Sequence, residues 1–377
     1  MSEHSLNGPS SFARRIACPG SANAERGIHE ETSVYAAEGT AAHKLCETCL
    51  KDGLDPQDMI GKVIGGFEVD QEMADAAEMY VNYCRDLIQD ATVYGVEERL
   101  PLPFIGKTEK GTSDCVAVTK DKKLYAVDFK YGKGVAVDAV DNVQGLCYGL
   151  GAARKYHNHA WDSLTVVIIQ PRASHPDGPI REWSISREDA EDYVLEFATA
   201  AEATRPDDAP RRAGGHCKFC KAKPTCPAAE ANASAVAESQ FGSVEDIEGE
   251  RLAELVLDRI PVILDWCKSV QDYAQKQAEA GNAPPGTKLV PTRATRKWVD
   301  EGNAETVIVS ETGLATGDIY TSKMKSPAQI EKLVGKKNMG PLQDHIESKS
   351  TGVTLVPSSD PREAAKVSAT GQFGPAA

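Results

Sequence analysis

Residues 111–130 read GTSDCVAVTKDKKLYAVDFK. Two alternating runs, 114–119 (DCVAVT) and 123–129 (KLYAVDF), flank Lys120-Asp121-Lys122, a pattern that predicts a β-hairpin. Alternate side chains of a strand share one face, so Asp128 and Lys130 point the same way and Phe129 points into the core. Asp114, on the neighbouring strand, can approach Asp128. Two carboxylates that converge repel one another unless a cation lies between them, and such hard oxygen ligands suit Mg²⁺ or Mn²⁺. A lysine beside them can orient an attacking water or neutralise charge that develops on a phosphate. Taken alone, D-x13-D-x-K is a weak signal, because solvated Asp and Lys are common at strand ends.

Moving outward, residues 70–90 repeat apolar side chains at Met73, Ala76, Ala77, Tyr80, Cys84, Leu87 and Ile88, a helical stripe. Residues 138–156 also read as a helix, and Gln144 and Tyr148, four apart, share one of its faces. Residues 163–170 (SLTVVIIQ) form the continuous apolar run of a buried strand. Ser186 with Asp189 opens a further helix that runs to about Thr204. Upstream, Glu38-Gly39-Thr40-Ala41-Ala42-His43 places a histidine at the start of a helix, where a neutral imidazole can complete a metal shell. A lone histidine is more often a satisfied core residue, and a Gln/Tyr pair is more often ordinary surface. Four such signals in one order outweigh any one of them. The order of elements suits a mixed α/β core with helices on both faces of a central sheet.

The chain has 377 residues, 41% of them hydrophobic, and a formal charge of −14. That charge excludes non-specific coating of nucleic acid by the whole surface but not a local basic groove. No apolar run is long enough to span a membrane and the N-terminal residues carry no apolar signal segment, so a cytoplasmic protein is expected. In a reducing compartment, ten cysteines point to metal ligands or buried thiols rather than disulfides.

Cys217-Lys-Phe-Cys220 followed by Cys226 gives C-x2-C-x5-C, a spacing that presents several thiolates to one metal centre. Cys18, in Ala-Cys-Pro-Gly-Ser, is the natural fourth ligand. It would staple the start of the domain to its end. A structural zinc site, with His216 as a candidate ligand, competes with an iron–sulfur cluster, and spacing does not separate them. Cys46, Cys49, Cys84, Cys115, Cys147 and Cys267 read instead as core thiols. Residues 205–226 hold six basic and two acidic residues, a net +4 around the cysteines, and so could present a basic wall to phosphates. Lys133 lies just past Lys130. Lys288, Arg293, Arg296 and Lys297 with Trp298, and Lys323, Lys325, Lys332, Lys336 and Lys337, form two further basic stretches. An aromatic among bases can stack on an unpaired nucleobase. A solvated surface is the competing reading.

The order Gly39–His43 (G-T-x-x-H), Gly111–Asp114 (G-T-x-D), Asp128–Lys130 (D-x-K) and Gln144–Tyr148 (Q-x-x-x-Y), bracketed by Cys18 and Cys217/Cys220/Cys226, resembles RecB-like PD-(D/E)XK nucleases. It is most similar to their iron–sulfur subset, which includes CRISPR-associated RecB-like exonucleases and the AddB nuclease domain. That resemblance covers about residues 10–230. A wider pattern, with Pro285–Val290 and Arg296-Lys297-Trp298, resembles a family of phage and prophage proteins of uncharacterised function and runs to about residue 365.

The resemblance implies a restriction-endonuclease-like α/β core over residues 1–230 and an acidic linker over 231–250. A smaller α+β accessory region over 251–365 and a disordered tail over 366–377 would follow. It implies that His43, Asp114, Asp128 and the carbonyl of Phe129 bind Mg²⁺ or Mn²⁺. Lys130 would serve the attacking water, Gln144 and Tyr148 would place the DNA or the lysine, and the four cysteines would hold a 4Fe–4S cluster. Asp128 stands where many relatives have glutamate. Either Glu97 or Glu98, just before the second motif, can add a carboxylate, and the sequence does not rank them. The expected activity is exonucleolytic hydrolysis of single-stranded DNA or duplex ends, with phage recombination or replication proteins as partners in a bacterial host. The alternative is a catalytically inactive DNA-binding or scaffold protein on the same fold.

Overall fold

A computed structural model describes residues 8–28, 33–238, 249–292, 295–320, 324–349, 353–357 and 363–365. The chain forms two compact units, Met1–Trp266 and Cys267–Ala377. In the first, helices α1 (Pro9–Ala17), α2 (Ser21–Ala24) and α3 (Val34–Asp52) precede a short hairpin of β1 (Val63–Ile64) and β2 (Phe67–Glu68). Helix α4 (Gln71–Asp90) leads into β3 (Ala91–Pro101), β4 (Lys110–Thr119) and β5 (Lys123–Phe129). Helix α5 (Val143–Lys155), β6 (Ser163–Ile169), β7 (Ile180–Ser186), α6 (Arg187–Ala203) and α7 (Pro227–Glu238) complete the order, ahead of α8 (Gly249–Glu254).

The central sheet runs β3-β4-β5-β6-β7, and only β5–β6 is parallel. A parallel pair needs a crossover, and α5 supplies it. The hairpin expected at 114–129 is therefore the middle of a mixed five-stranded sheet. Two strands, β3 and β7, are additional to those read from the sequence. The helix expected over 138–156 starts at Val143, where the Asn142 side chain accepts the Gly145 N–H at 2.9 Å. The Ser186 cap holds as expected, accepting the Asp189 N–H at 3.1 Å.

Each face of the sheet buries its own core. On one, Val116, Val118, Leu124, Ala126, Leu164 and Val166 pack against Phe12 of α1, Leu146 and Leu150 of α5 and Phe197 of α6. On the other, Cys115, Val127, Phe129, Val167 and Ile169 pack against Leu45 of α3 and Met73, Ala77 and Tyr80 of α4. Cys46, Cys49, Cys84, Cys115 and Cys147 are buried as expected, whereas Cys267 is exposed. Gly145 and Gly149 set how closely α5 approaches. A Cβ on them would lie 2.2 Å from Val166 Cγ1 and 2.3 Å from Leu164 Cδ1, so only glycine lets the helix backbone sit on β6 without a shift.

The division between the units falls within α9 (Ile260–Glu279), the helix expected at about 251–280. The second unit pairs β8 (Thr287–Pro291) with β11 (Val353–Pro357), and β9 (Thr295–Trp298) with β10 (Ile346–Lys349). Helices α10 (Glu301–Thr312), α11 (Thr316–Ile319) and α12 (Pro327–Val334) bury Ala304, Ile308, Ile319 and Ile330. Trp298, considered above as a stacking platform, packs against this core and donates its indole N–H to the Lys325 carbonyl at 2.8 Å. Within the expected linker at 231–250, residues 231–238 belong to α7 and 249–250 open α8. Residues 239–248, Arg293, Lys323 and the tail at 366–377 lie outside the described residues. No described helix is long and apolar enough to cross a membrane.

Candidate active site

The site forms beside the end of β5, where α3 reaches it from one face of the sheet and α5 from the other. The β4–β5 register pairs Cys115 with Val127, so Asp114 stands opposite Asp128. The Phe129 N–H donates to Asp114 Oδ2 at 2.7 Å and fixes that carboxylate. His43 Nδ1 lies 3.3 Å from Asp114 Oδ1, and its ring meets Phe129 edge-on at 5.3 Å. His43 sits in the middle of α3, not at a helix start as expected: the helix begins at Val34, capped by Ser33, so Gly39-Thr40 is interior. Among the described residues, the set of three ligating side chains whose donor atoms all lie within 4.8 Å of one another is His43, Glu97 and Asp114.

Glu97 is the residue that sequence reasoning left unranked against Glu98. It has a φ of +51°, left-handed for a non-glycine residue inside a strand. Glu98 instead pairs with Lys155 and accepts the Tyr156 hydroxyl at 3.3 Å. Burial, then the neighbouring Asp114 carboxylate, raises Glu97 to about 7. Burial alone would lower His43, but its hydrogen bond and charge pairing with Asp114 outweigh that and raise it.

Asp128 is 3% exposed. Its carboxylate faces Lys130 and Gln144, and it is not part of the 4.8 Å triangle. Lys130 Nζ lies 2.8 Å from Asp128 Oδ2 and donates to Gln144 Oε1 at 2.9 Å. Gln144 Nε2 donates to Asp128 Oδ1 at 3.1 Å and to the Tyr148 hydroxyl at 3.3 Å. Asp128 Oδ2 is buried, and Lys130 is its charged neighbour. Burial raises the Asp128 carboxyl, against the pull of Lys130. Lys130 is raised in turn, because the Asp128 carboxylate outweighs the burial that would lower it.

The cysteines lie elsewhere in the first unit. Cys18 is buried, and its Sγ accepts the Arg212 N–H at 3.2 Å. Arg14 donates to the Phe219 carbonyl at 2.9 Å, and Glu25 Oε1 accepts the Lys221 N–H at 2.8 Å. Glu25 Oε2 also pairs with Arg15 at 2.8 Å. Gly20 donates to the Pro210 carbonyl at 2.9 Å, and a Cβ there would meet Ala209 O at 2.4 Å. The start of the chain is thus tied to the Cys217–Cys226 segment across almost two hundred residues. His216 Nε2 lies 2.8 Å from the Arg212 carbonyl. Burial raises the Cys220 thiol to about 11, so a thiolate there needs a bound cation. Around these cysteines Arg211, Arg212, Lys218 and Lys221 are exposed, while Lys223 is buried 2.7 Å from Asp265.

The family described as protein of unknown function (DUF2800) matches residues 4–363. Two solved structures show weak likeness. One is a crystal structure named Putative exonuclease, from Eubacterium rectale, 12% identical over 56% of this chain and 85% of that one, with a TM-score of 0.31. The other, a crystal structure of SSO0001, is 14% identical over 58% of this chain and 95% of that one, with a TM-score of 0.23. Likeness at this level carries no conclusion about this chain's activity.

Proposed function

The chain belongs to the DUF2800 family, and we propose that it is a metal-dependent DNA nuclease acting as an exonuclease. The observation that carries this reading is the meeting of the His43–Glu97–Asp114 triangle with the Asp128–Lys130 pair at one strand end. Three of these groups are carboxylates, and Asp128 Oδ2 is a buried oxygen with no hydrogen-bond partner. Carboxylates packed this closely fit a divalent cation better than mutual repulsion.

His43, Glu97 and Asp114 would hold Mg²⁺ or Mn²⁺, with Asp128 and the Phe129 carbonyl available beside them. Bound there, the cation supplies Lewis acidity and lowers the pKa of a water toward neutrality. Lys130 orients the attacking water and offsets charge that develops on the phosphate. Gln144 aims Lys130 through its amide oxygen and Asp128 through its amide nitrogen, and Tyr148 steadies Gln144. The order of motifs favours work on single strands or duplex ends, in phage recombination or replication, over sequence-specific cutting.

Cys18, Cys217, Cys220 and Cys226 would hold a 4Fe–4S cluster as a structural staple. The Arg212 N–H directed at Cys18 Sγ would stabilise a thiolate there, in a cluster or in a zinc site. Iron and acid-labile sulfide in anaerobically purified protein would support the cluster, and zinc without iron would reject it.

The activity is tested with end-labelled single- and double-stranded DNA, incubated with Mn²⁺, Mg²⁺ or EDTA. Metal-dependent shortening from the ends is the expected result, and the product ladder gives the polarity. Intact DNA after incubation with folded protein and either metal would reject the reading.

A further inference from the structure

Arg172 follows β6 in Gln170-Pro171-Arg172, a stretch that none of the motifs above includes. Its side chain is only 10% exposed. The guanidinium lies over the Tyr131 ring, 3.9 Å from its centroid, and Tyr131 is the residue after Lys130. Nη1 reaches Glu38 Oε1 at 3.5 Å and the Tyr131 carbonyl at 3.4 Å, and Nη2 reaches Glu72 Oε2 at 3.1 Å. Nε is buried and has no hydrogen-bond partner.

A guanidinium carries five N–H donors, and well-formed bonds from it to carboxylates are about 2.7–2.9 Å long. None of the Arg172 contacts is that short, and one donor has no acceptor. The group is enclosed but incompletely satisfied, as expected of a cation that lacks a bidentate anion. Lys133 belongs to the same cluster, with its Nζ 2.8 Å from Glu72 Oε1. Glu72 thus bridges two cations while its own side chain is half exposed. Glu38, the other acidic partner, is on α3 five residues before His43. The cluster therefore lies on the segments that carry His43 and Lys130.

We propose that Arg172 and Lys133 form a phosphate clamp for the DNA strand beside Lys130, and that the Glu72 carboxylate occupies the place an incoming phosphate takes. The clamp rests on the nuclease reading above and deepens it by assigning the contact that registers the strand. A purely structural tie between α3, α4 and the end of β5 would use the same ion pairs, but the two roles predict opposite signs at Glu72. Removal of its charge weakens a structural tie and opens a phosphate site.

The experiment is fluorescence anisotropy of a labelled single-stranded oligonucleotide, with Ca²⁺ in place of Mg²⁺ so that the strand stays intact. Wild type, Arg172→Gln, Lys133→Gln and Glu72→Gln are compared over a series of salt concentrations. Loss of a charge-assisted contact in Arg172→Gln is expected to weaken binding about tenfold or more. It should also reduce the slope of log K against log salt by about 0.7, one single-strand phosphate contact. Lys133→Gln should act in the same direction, and Glu72→Gln should tighten binding about two- to fivefold. Wild-type affinity and slope in Arg172→Gln, or weaker binding in Glu72→Gln, would overturn the clamp and leave the nuclease reading standing. Failure of wild type itself to bind the strand would overturn both.

Discussion

The carboxylate site and the cysteine site are assembled in opposite ways. His43, Glu97, Asp114, Asp128, Gln144 and Tyr148 all ride on helices or strands of one sheet sandwich, and Lys130 directly follows β5. Apart from Glu97, whose carboxylate lies within 4.8 Å of the His43 and Asp114 ligand atoms, their polar atoms meet at 2.7–3.3 Å. Cys18, Cys220 and Cys226 lie between helices and Cys217 in a single 3-10 turn, and hydrogen bonds between residues 14–25 and 209–221 tie their segments together. Like charges can be held together only by stiff elements whose packing has already fixed them. Thiols that a cluster would cross-link need only be delivered nearby, because the cluster would supply the final order. The first site should thus lose function without losing the fold, and the second should lose stability first.

That contrast is sharpest at Asp114, which both partners His43 and anchors on the Phe129 N–H. Asp114→Asn should weaken Mn²⁺ binding about a hundredfold, followed by EPR titration, with the circular dichroism spectrum unchanged. Wild-type Mn²⁺ affinity in this variant would remove the metal from the site. Cys217→Ala should do the reverse. A cross-link over roughly two hundred residues reduces chain entropy by up to about 5 kcal/mol. Its loss would lower Tm by about 10–20 °C, with Mn²⁺ affinity retained. An unchanged Tm would show that the staple is not structural.

Gly145→Val tests positioning. The new side chain would collide with Val166 and lift α5, at a cost of about 1–3 kcal/mol. It would draw Gln144 from Lys130 and slow cleavage about tenfold or more, seen in kcat rather than KM. The smallest effects separate two neighbours. Glu97→Gln should lower Mn²⁺ affinity about tenfold. Glu98→Gln, which breaks only the pairing with Lys155 and Tyr156, should leave it unchanged and cost less than about 1 kcal/mol. Equal effects of the two would mean that the left-handed backbone at Glu97 does not select it.

Much of this was legible in the sequence because its signals are local. The hairpin, the α4 stripe, the apolar β6 and the Ser186 cap each follow from short-range patterning. The convergence of Asp114 with Asp128 follows from hairpin geometry. Strand β3 was not legible, because the left-handed Glu97 and the run Val96-Glu97-Glu98-Arg99 break strict alternation. For the same reason composition could not rank Glu97 above Glu98, since a single φ decides which carboxylate turns inward. The interior position of His43 was hidden by Gly39-Thr40, which imitates a helix start. Arg172 had no motif at all: its partners Glu38, Glu72 and Tyr131 come from three separate segments, and only folding joins them. Trp298 looked like a stacking platform because sequence does not show that an indole N–H has found a carbonyl.

The central claim is that the Asp128–Lys130 end of β5 cuts DNA. The most direct test compares wild type with Asp128→Ala in a cleavage assay on end-labelled DNA with Mn²⁺, alongside anisotropy binding of the same strand in Ca²⁺. The account predicts metal-dependent cutting by wild type, a loss of at least about a hundredfold in the variant, and DNA binding that survives the substitution. Wild type that binds the strand but leaves it whole, or an Asp128→Ala variant that cuts as well as wild type, would contradict it.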